Sequence, residues 1–222
     1  MNWKTVRVHI QKGIPPQGMD LVKNSFVIMD VTHDGETRDD GKPYRDHPVR
    51  SLFIAYDMGE WDPEVLAAIL SHDVLESSKS LGKPMTVLEL ETHVGTATAC
   101  RTSWMTKKDH TTNSHVVYWS SLRCCRDHKT LKAKSYERLD NVSTFGKMKA
   151  KGKETREMRI KRKLDETVRE FVPIVNWLLA DLEIRAFKSE DARDKERILV
   201  KKIRHAFEQE LAKYGRKFET NK

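Results

Sequence analysis

Asp62-Pro-Glu-Val-Leu-Ala-Ala-Ile-Leu-Ser-His-Asp-Val-Leu-Glu76 is the stretch on which the reading of the fold turns. Asp62 is a good N-cap, and Pro63 suits a first helical turn, where its missing N–H costs nothing. Val65, Leu66, Ile69 and Leu70, with Ala67 and Ala68 between them, leave little polar surface, so the spacing predicts a helix buried nearly all round. Its end carries His72, Asp73 and Glu76. These heads need partners, because an unpaired buried charge costs several kcal/mol or neutralises itself. His72 and Glu76 are four apart and Asp73 and Glu76 three apart, so on one helix they share a face. A divalent cation would answer all three. A core histidine bonded to its neighbouring carboxylate would answer the pair, and for the pair alone that plainer reading is favoured.

The flanking segments read mainly as helices. Val6, Val8 and Ile10 alternate with polar residues, a short strand pattern closed by Gly13-Ile-Pro-Pro16, so residues 1–18 are expected to form an N-terminal arm. From about Met19, the positions Leu21, Val22, Phe26, Val27 and Met29 predict a helix. Thr32-His-Asp-Gly-Glu-Thr-Arg38-Asp-Asp-Gly-Lys-Pro-Tyr44-Arg-Asp-His47-Pro48 is a loop by its glycines and acidic pair. His47-Pro48 opens the next helix, which Gly59 stops, and a histidine at a helix start is free to ligate. Thr86-Val-Leu-Glu89 is a capping box for a helix running to Gly95. Another helix, His115 to Arg126, presents Val116, Val117, Trp119 and Leu122.

Leu131 to Phe145 carries Tyr136, Leu139 and Val142 as an apolar stripe, with Glu137 and Asn141 on one face and Asp140 close by. That face is either a ligand with its orienting partner or exposed polar surface. Further on, Leu164, Val168, Phe171, Val172, Val175, Leu178 and Leu179 follow the helical period, with Pro173 kinking the helix. A last helix carries Leu199, Ile203, Phe207 and Leu211 in steps of four. The sum is an all-α chain: an arm over 1–18, a helical core over 19–146, and basic C-terminal helices over 147–222 packed on that core, with Gly146 to Gly152 as the hinge.

Charge is unevenly placed. Residues 1–146 hold 19 Lys+Arg and 19 Asp+Glu, and 147–222 hold 22 and 14, so the whole excess of +8 lies in the last third. Lys147 to Lys163 is densest, with nine basic residues against Glu154 and Glu157; it either steers an anionic ligand or nucleic acid, or is a solvated helix face. No apolar run approaches the ~20 residues of a membrane span, and the N-terminus lacks a signal-peptide core. The cytoplasm is the expected location. Cys100, Cys124 and Cys125 fit neither zinc spacing nor a disulfide framework, and read as reduced, half-buried helix residues.

Three blocks, Thr32 to Pro48, His72-Asp-Val-Leu-Glu76 and Glu137-Arg-Leu-Asp-Asn141-Val-Ser-Thr144, resemble in order and spacing the HD hydrolase domain of RelA/SpoT-type alarmone enzymes. These enzymes remove pyrophosphate from the ribose 3′ position of (p)ppGpp in the stringent response. The resemblance covers roughly residues 20–180, and the chain looks like a small, stand-alone alarmone hydrolase. It implies an all-helical HD fold and a Mn²⁺ ion held by His47, His72, Asp73 and Glu137, with Asp140 as the alternative to Glu137. It further implies that Glu76 activates or orients the attacking water, and that Asn141 sits beside the metal and the ribose or phosphate. Arg38 would stack on the guanine, Thr144 would contact the nucleotide, and Lys107 would lie on the phosphate side.

Three positions depart from the family pattern. Ser77 stands where a second acid follows Glu76, Glu137 where Asp is usual, and Asp39 where a basic residue adjoins Arg38. The expectation is a metal-dependent 3′-pyrophosphohydrolase with a guanosine 3′-diphosphate type of substrate. The alternatives are HD chemistry on another nucleotide, such as an adenine alarmone, and a non-catalytic binder of nucleotide or RNA, nucleic acid being the less favoured partner.

Overall fold

The computed structural model describes residues 2–38, 41–76, 82–107 and 114–218. In chain order the helices among them are α1 (Trp3–Ile10), α2 (Pro16–Thr32), α3 (Asp46–Met58), α4 (Pro63–Ser71) and α5 (Val87–Met105). There follow α6 (Ser114–Cys125), α7 (His128–Thr144), α8 (Arg156–Glu166), α9 (Val172–Ile184) and α10 (Glu190–Ala212). No strand forms among the described residues, only the isolated bridges Thr37↔Pro43 and Lys151↔Glu154. The chain is all-α, and it divides into two compact units, Met1–Glu137 and Arg138–Lys222.

The first unit is built round α4. Val65 to Leu70 are fully buried, and the helix packs against α2, α3 and α5. Asp62 caps it by accepting from Glu64 N at 2.9 Å. The approach of α2 is close: a Cβ on Gly18 would come within 2.8 Å of the Pro63 ring. The helix is shorter than the acidic run suggested. It ends at Ser71, so His72 to Glu76 form a turn and do not share a helical face.

The segment read as a strand is α1. Asn2 caps it by accepting from Thr5 N at 3.1 Å, Val6 and Ile10 are buried, and Val8 is 61% exposed. Burial at i and i+4 follows the helical period, which three alternating residues cannot be told from. Pro16 starts α2 a turn earlier than the apolar stripe indicated. The Thr86–Glu89 capping box forms. Gly95 does break the helix, at φ 75° and ψ 160°, but the chain resumes as helix to Met105. In α6 Trp119 and Leu122 are buried whereas Val116 and Val117 are exposed. Cys100 and Cys124 are exposed and Cys125 is half-buried, all three as free thiols.

The second unit pairs α9 with α10. Val175, Leu178 and Leu182 are buried, as are Ile203, Phe207 and Leu211 in their steps of four. Phe171 and Phe207 lie 5.1 Å apart between ring centroids. Pro173 has no N–H to give a preceding carbonyl, and the chain widens into a π-helical turn over Thr167–Phe171, with Val172 N donating back to Thr167 O. The kink expected at the proline is this turn. Below it, Arg138 reaches Glu166 at 3.2 Å and donates to Thr167 Oγ1 at 3.1 Å, both buried.

The basic stretch has a definite shape. Arg156 and Arg159 of α8 donate to the carbonyls of Gly146 and Lys149. Arg162 clasps Glu154 through two bonds of 2.8 and 3.0 Å. These arginines brace the loop that leads into their own helix, while Lys147, Lys149, Lys151 and Lys153 are exposed.

Candidate metal centre

His47 enters from the first turn of α3 and His72 from the C-terminal cap of α4, with Asp73 next to it. One ligand-type atom of each lies within 4.8 Å of the others, the grouping of that kind found among the described residues. Both imidazoles are buried and meet edge to face, 5.1 Å between centroids.

The protons on His72 decide what the centre can hold. Its Nδ1 lies 2.7 Å from the Ile69 carbonyl, an oxygen that only accepts, so Nδ1 carries the proton. In the neutral ring Nε2 is then a bare lone pair. That lone pair faces Asp73 Oδ2 at 2.9 Å without the alignment of a hydrogen bond. Two acceptor atoms this close require a cation or a second proton near them. In the protein alone the proton serves. Burial opposes charge on the His72 ring, but the Asp73 carboxylate outweighs it and raises the imidazole above its ordinary value. Burial likewise opposes the Asp73 charge, yet His72, His47 and the Tyr44 bond hold that carboxyl well below the usual range. An imidazole fixed through its far nitrogen to a backbone carbonyl, beside an ionised carboxylate, is the donor set of a divalent cation with open positions. The residues fit a metal.

Glu76 flanks the centre. Lys107 N donates to its Oε1 at 2.9 Å, and burial, then the neighbouring Asp73 charge, push its carboxyl up to about 7. Glu137 comes to 3.8 Å from His47 Nε2 with Oε1, while Lys134 Nζ lies 2.8 Å from Oε2. Lys134 also stands over the Tyr118 ring at 5.3 Å. Although burial opposes it, the Glu137 charge keeps this ammonium above its ordinary value. Glu137 is thus buried and neutralised beside the two histidines. The open choice between ligand face and exposed face ends in burial for Glu137 and Asp140, with Asn141 half-buried.

The remaining residues divide as follows. Arg38 lies over the Tyr44 ring, 5.8 Å from its centroid. Lys107 meets Glu76 through its backbone. Asp140, Asn141 and Thr144 belong to the second unit, where Thr144 Oγ1 donates to Asp140 O at 2.9 Å and Asn141 O at 3.1 Å. Ser77 and Asp39 lie outside the described residues.

Two partners escape a reading by sequence. Tyr44 donates its hydroxyl to Asp73 Oδ2; burial and then the Asp73 charge hold its phenol well above the ordinary value, so it keeps the proton that it donates. Lys134 neutralises Glu137. The i, i+3 spacing of Lys134 to Glu137 is a visible signal, whereas nothing local links Tyr44 to a carboxylate 29 residues on.

No protein-family model matches the chain. It is 31% identical over 100 residues to the bifunctional (p)ppGpp synthase/hydrolase SpoT of Escherichia coli (strain K12), a match covering 45% of this chain and 13% of that protein. It is 27% identical over 167 residues to a guanosine-3′,5′-bis(diphosphate) 3′-pyrophosphohydrolase of Vibrio cholerae serotype O1, covering 72% of this chain and 22% of that one. The chain spans less than a quarter of the length of these relatives. The similarity supports a distant relation to RelA/SpoT-type proteins. No helix among the described residues is long and apolar enough to cross a membrane.

Proposed function

We propose that this chain is a cytoplasmic, metal-dependent phosphohydrolase that removes the 3′-pyrophosphate of guanosine tetra- or pentaphosphate, as a small alarmone hydrolase. The observation that carries this reading is the convergence of one ligand-type atom each from His47, His72 and Asp73 within 4.8 Å, with His72 Nε2 2.9 Å from the Asp73 carboxylate. The relatives' names supply the substrate.

His47, His72 and Asp73 would hold the ion, with Glu137 the fourth ligand through Oε1. A Mn²⁺ bound there supplies Lewis-acid charge at the phosphoryl group and lowers the pKa of water. Glu76 would take a proton from the attacking water through Oε2, since Oε1 accepts from Lys107 N. By resemblance Arg38 takes the guanine face, Lys107 the phosphates, and Asn141 and Thr144 the ribose side.

The test is Mn²⁺-stimulated release of pyrophosphate from ppGpp. Release that disappears in His72→Ala supports the assignment, and folded protein that binds Mn²⁺ but releases nothing overturns it. One sequence feature favours a second reading, the same chemistry on a different nucleotide: Asp39 places an acid beside the base-binding Arg38. Release from an adenine alarmone but not from ppGpp would establish that instead.

A further inference from the structure

Tyr44 touches both ends of the centre. Its hydroxyl donates to the Asp73 carboxylate, and its edge meets the His47 ring at 90°, 6.5 Å between centroids. Its ring stacks on the buried His33 at 4.5 Å and 28°. His33 is itself set by Glu36, whose Oε2 lies 2.9 Å from Nδ1, so the phenol rests on a fixed plate. The Arg38 guanidinium lies over the same ring. A short fold of the loop makes this possible: Arg38 N donates to Lys42 O at 2.9 Å and Tyr44 N to Glu36 O at 2.8 Å, across the Thr37↔Pro43 bridge. The chain turns back on itself and stands Arg38 beside Tyr44.

A cation over a phenol ring draws electron density from it and makes the hydroxyl a stronger donor. The acceptor here is a carboxylate of the metal centre. We propose that Tyr44 is a positioning residue that couples nucleobase binding to metal affinity: a purine stacked on Arg38 holds the guanidinium against the Tyr44 ring, and the ring's hydroxyl fixes Asp73 for the ion. The inference rests on the reading above, in which Arg38 takes the base and Asp73 the metal. Because such coupling is reciprocal, the ion tightens base binding by the same factor.

The probe is guanosine, which has no phosphate to chelate the ion, so any effect on Mn²⁺ affinity travels through the protein. In wild type, saturating guanosine should tighten Mn²⁺ binding about fivefold, the low end of such couplings. In Tyr44→Phe, which keeps the ring and removes the hydroxyl, Mn²⁺ should bind ~10- to 100-fold more weakly, as when an outer partner of a ligand is lost, and the guanosine effect should vanish. A purely structural role would weaken Mn²⁺ binding and leave the guanosine ratio intact, which would overturn the proposal. Arg38→Gln provides a second break at the other end of the ring in case Tyr44→Phe does not fold, and it too should erase the ratio. A ratio that survives in Arg38→Gln, or wild type that binds Mn²⁺ but is indifferent to guanosine, overturns the coupling alone. Wild type that binds no Mn²⁺ overturns the metal centre as well.

Discussion

Two stretches of this molecule concentrate ionisable side chains, and they resolve their charge in opposite ways. Along Lys147 to Lys163 the arginines are consumed by the backbone and by Glu154, Lys163 is held by Glu166 at 3.1 Å, and the other lysines face solvent, so each charge is either braced or hydrated. At His47, His72 and Asp73 the groups are few, with both imidazoles buried and the carboxylate partly so, and one ligand-type atom of each lies within 4.8 Å of the others. Charge density marks the first, and convergence of ligand-type atoms marks the second. The larger number of charges is the weaker indication of chemistry, because exposed ions gain little from each other whereas buried ones must be answered.

The contrast can be broken most severely at the small cluster. His72→Ala or Asp73→Ala should abolish Mn²⁺ binding in calorimetry and take pyrophosphate release to background; retained binding would make the buried trio an ordinary core pair. Next in size is the effect of the ion on stability. Mn²⁺ at 100 times its dissociation constant should stabilise wild type by about 2.7 kcal/mol, read as a rise in Tm that EDTA reverses and that His47→Ala does not show.

A pH scan of the metal-free protein comes third. Glu76 titrates at about 7 in the fold against 4.5 ordinarily, so the folded state holds a proton that the unfolded chain has already lost. Its contribution is therefore full below about 4.5 and is lost as pH rises towards 7. Glu76→Gln should flatten that part of the urea-unfolding profile, and an unchanged slope would remove Glu76 from the buried set. The smallest effect belongs to the basic stretch: Glu154→Gln should leave the urea-unfolding midpoint almost where it was, its partner Arg162 being half exposed, with Mn²⁺ affinity unmoved.

What was legible in the sequence was local. Asp62-Pro63, the Thr86–Glu89 box and the stop at Gly59 declare helix ends within four residues, and all three appear. Periods longer than two turns were legible as well, as in Leu199 to Leu211. Short patterns were not: Val6, Val8 and Ile10 alternate and also satisfy i, i+4, and only burial of the outer two separates strand from helix. The cluster of His47 with His72 and Asp73 followed from the order of blocks, but the shared helical face drawn for His72 and Glu76 did not survive the end of α4 at Ser71. Tyr44 was in view without a role, because its partner is brought to it by tertiary folding.

The bond from His72 Nδ1 to the Ile69 carbonyl links the ion's fate to the length of a helix. A helix continued past Ser71 would give that carbonyl to the Asp73 N–H, four residues on; here the imidazole has it. Substitutions that raise helix propensity just beyond Ser71, at positions outside the core that holds Val74, would lengthen the helix and release the ring. Thermal robustness and affinity for the ion compete for one oxygen atom, and a sequence selected for either is held back by the other.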